Sequence, residues 1–547
     1  MAKDSKSLMI QGTSSHVGKS IAVAAICRIL KQDGYSVCPF KSQNMALNSF
    51  VTSSGGEMGR AQVVQAEACG LEPEVHMNPI LIKPVADTQA QIIFMGKVLK
   101  NMSASEYDKN KKFYLDKIKE LLDDIREKFD YVIIEGAGSP AEINLLKNDI
   151  VNMRTATIAE SPVILVGDVD RGGVFASFYG TVKLLPSNFQ KYIKGLLVNK
   201  FRGDVDLLQP GNDFIAQKLG IPVLGTIPYF RDIYIEEEDS VNLEKQQDNA
   251  AAMSRAKSSK VDGKIVIGII YLPHISNFTD FNALEHEEEV NLVYLRNAAD
   301  LAELNPHLII IPGSKSTIND LIYVRRSGFE EGVKKQYGKG TSIVGICGGY
   351  QMLGARITDR FKSESKETES IEGMRFFDIE TEYLKEKNTY QVEFDLKDRS
   401  RDKLDPYFNG PEGPDEGSGC NEKMKGYEIH MGVSKVIVSG SSDLTPLFNI
   451  SRRGDEETAI EDGLLKLDSE NKKMVIGTYI HGVFDNYMFR RITIDTLKAF
   501  NNIRSGSGNN AIKSYNDFKQ VQYDRLADLF RDNMDMDLFY KILTGGV

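Results

Sequence analysis

The sequence predicts two α/β domains in tandem, each built on a largely parallel sheet. Short apolar runs that end in Gly, Asp, Asn or Glu alternate with helical patterns: "SLMIQG", "YVIIEGAG", "PVILVGD" and "IKGLLVNK". Such runs mark strands buried on both faces, with chemistry at their carboxyl ends. The chain has 547 residues, more than one hydrophobic core organises. A polar, charged stretch from Glu236 to Gly263 then interrupts the pattern, and a second strand series follows: "KIVIGIIYL", "HLIIIPGSKS", "TSIVGICGGYQ" and "KKMVIGTYIHG". The expected organisation is a first domain over 1–235, a linker over 236–263, a second domain over 264–500 and a helical tail over 501–547.

Composition narrows the function classes. The chain is 41% hydrophobic and 26% charged, without an apolar run near the roughly 18 residues a membrane span needs. No secretory signal is visible after Met1, and the five cysteines show no paired spacing, so a cytoplasmic setting is expected. A formal net charge of −10 argues against nucleic acid or a membrane surface as partner. An anionic ligand must therefore be held by a local cluster of cations.

The stretch "GTSSHVGKS" follows the first strand and opens an alanine-rich helical segment. Gly12, Thr13, Ser14, Ser15, His16, Val17 and Gly18 supply a loop whose N–H groups can converge on phosphate. Lys19 adds a point charge, and Ser20 a hydroxyl suited to Mg²⁺. The loop is one residue longer than the usual Gly-x4-Gly-Lys-Ser/Thr, which resembles the dethiobiotin synthetase branch of ATPases. His16 reads as a space-filling loop residue. Glu135 ends the strand "YVIIE", where a carboxylate can hold Mg²⁺ on nucleotide phosphates, and Lys41 follows what should be the second strand, where it can reach a γ-phosphate.

In the second domain, "IVGICGGYQMLG" sets Cys347 between an apolar strand and a Gly-Gly turn leading into a helix. That arrangement exposes a thiol and favours thiolate, and Gly348 N–H becomes a candidate oxyanion donor. The turn around Gly313 in "IIIPGSKS" is a second candidate, and His481 in "GTYIHGVFDN" is the expected base. Cys27 and Cys38 read as core residues; Cys69 and Cys420 carry no functional argument.

"GICGGYQMLG" with "GTYIHGVFDN" resembles a class I glutamine amidotransferase domain. Joined behind a dethiobiotin-synthetase-like ATPase domain, it resembles the cobyric acid synthase family. The matching segments run from "GTSSHVGKS" and "PFKSQNMALNS" through "EGAGSPAEINL", "DVDRGGVFASFYGT" and "VNKFRGD" to "ISNFTDFNALE" and "GYEIHMG". Most class I amidotransferases orient the histidine with His-x-Glu. Here Val483 stands two residues after His481, a departure shared by the resembled family, with Glu428 and Asp485 as candidate substitutes. The loops between about Thr358 and Gly426 are longer than expected of the family.

The resemblance implies amidation of the b, d, e and g carboxylates of adenosylcobyrinic acid a,c-diamide. ATP with Mg²⁺ would activate each as an acyl phosphate, and ammonia would come from glutamine through Cys347, with Gln351 in the glutamine site. Lys83, Arg154, Arg171, Lys200 and Arg202, in the family-like segments, are candidates to meet the anionic corrinoid. Two other readings stand behind it: cobyrinic acid a,c-diamide synthase, which "PFKSQNMALNS" and "ISNFTDF" fit less well, and a MinD-type switch ATPase, which lacks a thiol amidotransferase domain. The latter has a signature lysine where this chain has Ser14.

Overall fold

The computed structural model of the chain describes residues 6–86, 89–236, 263–364, 368–408, 423–437, 443–503 and 512–546. The expected linker (save its ends), Cys420 and part of the expected inserted loops lie outside the described residues. By their contacts the residues fall into two units. The first comprises Met1–Ala46, Gly56–Glu238 and Asn516–Val547, and the second Leu47–Gly55 and Asp239–Tyr515.

In the first unit the apolar runs become β1 (Lys6–Gly12), β2 (Val37–Phe40), β3 (Tyr131–Glu135), β4 (Val163–Asp168), β5 (Ile193–Phe201) and β6 (Val223–Pro228). They form one sheet in the order β6-β5-β4-β1-β3-β2, parallel at every pairing. β1 and β3 are buried almost throughout, as strands covered on both faces must be. Helix α1 (Lys19–Gln32) starts at Gly18, whose φ of 99° is reached without strain by glycine. Its apolar side (Ala22, Val23, Ile26, Ile29, Leu30) is fully buried. Helix α2 (Arg60–Cys69) packs beside α1.

The second unit carries β7 (Ile265–Ile270), β8 (Val290–Leu295), β9 (Leu308–Ile311), α3 (Thr317–Arg326), β10 (Ser342–Ile346), α4 (Gly348–Leu353), β11 (Ile379–Leu396), β12 (Met424–Val436), β13 (Leu444–Arg453), β14 (Glu456–Asp468) and β15 (Lys473–Thr478). β8-β7-β9-β10-β15 run parallel; β14, β13 and β11 continue the sheet antiparallel, with β12 beside β11. Much of the segment read as inserted loops is thus sheet. β11 has 18 residues, and its inward Ile379, Thr381 and Tyr383 alternate with exposed charged ones. The Lys and Glu of "YLKEKN" hid that period-2 pattern. The chain closes with α5 (Tyr515–Asp532) and α6 (Met536–Leu543). Tyr523, Leu526, Phe530, Phe539 and Ile542 join the same core cluster as Leu8, Ile10 and the apolar face of α1.

Candidate active site

The turn leaving β1 folds back over the start of α1. The Lys19 ammonium donates to Ser14 O at 2.9 Å and Gly138 O at 3.1 Å, which bends the loop around its own lysine. A Cβ on Gly12 would meet Val17 at 2.6 Å and Lys19 Nζ at 3.0 Å, so the loop closes only over glycine. Asn199 Nδ2 donates to Val17 O at 2.8 Å, and Lys200 Nζ to His16 O at 2.6 Å. Ser14, Ser15 and His16 are exposed, and Thr13 is half-buried.

Glu135, buried at the end of β3, accepts from Ser20 Oγ at 2.9 Å and Lys41 Nζ at 2.8 Å, and also from Gln65. Burial would raise its pKa, but the Lys41 charge and these donors outweigh it and hold the carboxyl below its ordinary value. β1, β2 and β3 are neighbours in the sheet, so residues at or beyond their carboxyl ends converge. The hydroxyl of Ser20 and the carboxylate of Glu135 are hard oxygen donors set together, a donor set that would fit Mg²⁺. Among the described residues no group of three or more His, Cys, Asp or Glu could hold a metal ion.

The five proposed corrinoid cations separate. Lys83 is buried and paired with buried Glu57, so it is a core ion pair and not an open anion site. Lys200 Nζ also reaches Asp168 at 3.0 Å, beside the phosphate loop. Arg202 binds Asp170 at 2.7 Å, with its guanidinium 3.5 Å from the Tyr229 ring centroid. Arg171 is exposed, 4.0 Å from Asp168. Arg154 is exposed too, and donates to Lys147 O at 3.2 Å.

In the second unit β10 and β15 are adjacent and parallel, so Cys347 and His481, just past their carboxyl ends, come together. Cys347 has φ 51° and ψ −106°, a strained setting for a side chain and the mark of a nucleophile elbow. It is held there by Cys347 N to Thr478 O at 2.8 Å and by the α4 bond Gln351 N to Cys347 O at 3.0 Å. The next turn is equally tight: a Cβ on Gly349 would lie 1.9 Å from Ile311 O, and one on Gly348 3.0 Å from Ser314 N. A Cβ on Gly313 would lie 3.1 Å from His481 Cε1, so the second oxyanion candidate borders the imidazole.

His481 is buried, and its Nδ1 lies 2.6 Å from Asp280 Oδ2; Asp280 Oδ1 accepts from Gly482 N at 3.0 Å. Burial alone would lower the imidazole pKa. The Asp280 carboxylate and then the Cys347 sulfur outweigh it and push it up to about 10. The orienting group missing from the sequence reading is therefore Asp280, in "ISNFTDF", on the 3-10 turn Phe278–Phe281. Its only sequence signal was membership in that segment.

Neither substitute proposed from the sequence serves. Glu428 accepts from Arg453 Nε at 2.7 Å and lies 3.4 Å from His430 Nε2. The Asp485 carboxylate lies toward Gly482, within 3.4 Å of where its Cβ would stand, while Asp280 takes Nδ1. Gln351 has both amide ends engaged, accepting from Tyr383 OH at 2.8 Å and donating to Tyr479 OH at 3.3 Å. It braces the wall of the site. Cys27, Cys38 and Cys69 are buried free thiols.

Comparison with known proteins agrees with both units. Residues 8–242 match the CobQ/CobB/MinD/ParA nucleotide binding domain, and residues 266–489 the CobB/CobQ-like glutamine amidotransferase domain. A protein of Clostridium botulinum (strain 657 / Type Ba4) called cobyric acid synthase is 45% identical over 98% of this chain and 99% of its own. The chain belongs to the cobyric acid synthase family. Cobyric acid synthases of Clostridium kluyveri and Clostridium tetani are 45% and 46% identical, each over 98% of both chains. Both family domains coincide with the fold seen here: a nucleotide-binding α/β domain first, a glutamine amidotransferase α/β domain second.

Proposed function

We propose that the chain is a cobyric acid synthase that amidates the b, d, e and g carboxylates of adenosylcobyrinic acid a,c-diamide, using ATP and ammonia drawn from glutamine. The observation that carries this is the Asp280–His481 pair set beside Cys347, in a chain that also holds the Lys19, Ser20, Lys41 and Glu135 cluster.

The chemistry follows from the residues. Asp280 fixes the His481 ring so that Nε2 takes the thiol proton of Cys347. The thiolate attacks the side-chain carbonyl carbon of glutamine, and the oxyanion is met by Gly348 N–H and the Gly313 turn. His481 returns the proton to the departing nitrogen as the C–N bond breaks, ammonia leaves, and water then releases glutamate from the thioester. At the other site the acceptor carboxylate takes the γ-phosphoryl group of ATP and becomes an acyl phosphate. Ammonia displaces phosphate from it to give the amide. Lys19 and Lys41 neutralise charge on the transferred group. Mg²⁺, held through Ser20 and Glu135, would supply further neutralisation. Lys200, Arg202, Arg171 and Arg154 are the cations left to meet the corrinoid carboxylates.

The test is product mass on cobyrinic acid a,c-diamide with MgATP, comparing glutamine with ammonium as nitrogen source. The parent adds up to four amides from either source. Cys347→Ala adds them from ammonium only. ATP hydrolysis with no amide from either source would overturn the corrinoid assignment.

A further inference from the structure

The Tyr427 ring lies nearly parallel to the His481 imidazole, with centroids 5.2 Å apart and planes 16° apart. The two residues also exchange backbone bonds, Tyr427 N to His481 O at 3.2 Å and His481 N to Tyr427 O at 2.8 Å. Asn277 Nδ2 donates to the Tyr427 hydroxyl at 3.0 Å, three residues before the Asp280 that holds Nδ1. The imidazole is thus fixed at one edge by a carboxylate and across its plane by a tyrosine ring.

That tyrosine is itself braced by a segment from far up the chain. Phe50 packs on Tyr427, centroids 5.3 Å apart, and buried Val51 clusters with Tyr427 and Ile429. Ile429 O lies 3.9 Å from Cys347 Sγ, so the segment touches the residues that flank both reacting groups. It is anchored by Gln391 Nε2 to Val51 O at 2.9 Å and Thr389 Oγ1 to Gly55 O at 2.8 Å. Residues 47–55 belong to the second unit, although the chain on either side of them belongs to the first.

We infer that Phe50 is a positioning residue of the glutamine-hydrolysing centre: through Tyr427 it sets the plane of the His481 ring, so that a stretch spliced into the nucleotide-binding unit completes the site. The inference rests on the Cys347 and His481 reading. Aromatic packing across the ring restricts its tilt, and a proton-carrying imidazole works only while its Nε2 stays aimed at the atoms between which it moves the proton.

The experiment compares Phe50→Ala, Phe50→Tyr and the parent, as full chains, for glutamate release and for the pH dependence of Cys347 alkylation by iodoacetamide, with Cys347→Ala as background. Ammonium-driven amide formation monitors the fold. Phe50→Ala is expected to lose roughly tenfold in glutaminase kcat, a small part of what a positioned acid–base group contributes. KM for glutamine stays within about twofold, as expected of a residue that acts through the orientation of the histidine and not through substrate binding. The alkylation midpoint shifts, Phe50→Tyr restores both readings, and ammonium-driven synthesis stays parental. Parental glutaminase in Phe50→Ala, a rise in KM alone, an unshifted alkylation profile, or equal loss with glutamine and ammonium would each overturn the inference. Glutamine hydrolysis surviving in Cys347→Ala would instead overturn the reading beneath it.

Discussion

Asp280 grips the Nδ1 side of the His481 ring with one oxygen and the backbone of Gly482 with the other, so ring and turn are set together. A histidine raised to about 10 keeps its proton across the neutral range. Asp280→Asn retains the shape and removes the charge. Glutamine-dependent amidation should fall by about 10²- to 10⁴-fold, as for other lost orienting carboxylates, while ammonium-dependent amidation stays. The parent's glutaminase should hold its rate until the pH approaches 10, and the variant should lose it at least about one unit earlier, because losing the carboxylate lowers the imidazolium pKa. Linkage has the same sign. The folded pKa exceeds the unfolded value near 6.5, so the stabilisation is full below about 6.5 and is lost as pH rises through about 10. A pH–rate profile of both proteins decides the point.

At the scale of elements, what could be read from the sequence was local grammar. An apolar run closing on a glycine turn announced β1 with its phosphate loop and β10 with Cys347, and both are strand-to-helix turns in the structure. What could not be read was which distant elements meet. Asp280 lies 201 residues from His481 on a short turn without periodicity, and the Glu57 partner that makes Lys83 a core residue is set only by folding. β14 gives a further case of buried charge, this time in mid-strand. Asp462 accepts from Thr478 Oγ1 and, at 3.3 Å, from Tyr479 N, where β15 hands the chain to the His481 turn. Burial, reinforced by the Glu428 charge, pushes its pKa up to about 7. A carboxyl raised this way binds more protons folded than unfolded, so its contribution to stability falls as pH rises from about 4 to about 7. Asp462→Asn should therefore raise stability at pH 8 by on the order of 1 kcal/mol or more, and with it the unfolding midpoint, and leave both nearly unchanged at pH 4. Thermal unfolding at the two pH values checks it.

At the scale of the whole molecule, the first unit is built from both ends of the chain and the second from its middle plus nine residues of the first third. In α5 and α6, Tyr523, Leu526, Phe530, Phe539, Ile542 and Leu543 are at most 1% exposed and share a core with β1 and α1. Polar contacts add to this: Lys519 Nζ and Tyr523 OH both reach Glu67 at 2.7 Å, and Arg28 Nε reaches Asp524 at 2.7 Å. At roughly 1.5–3 kcal/mol per buried large side chain, six of them represent on the order of 10 kcal/mol as an upper figure, comparable with the whole stability of a domain. A protein ending before α5 keeps every residue proposed for phosphate, metal and glutamine chemistry, yet exposes that core. It should fail to show a cooperative transition for the first unit in calorimetry and should lose ammonium-driven amidation along with glutamine-driven amidation. Fusing 512–546 back through a flexible linker should restore both. If the shortened chain instead unfolds cooperatively at the parental midpoint, the two terminal helices are an appendage, and the first unit closes its core without them.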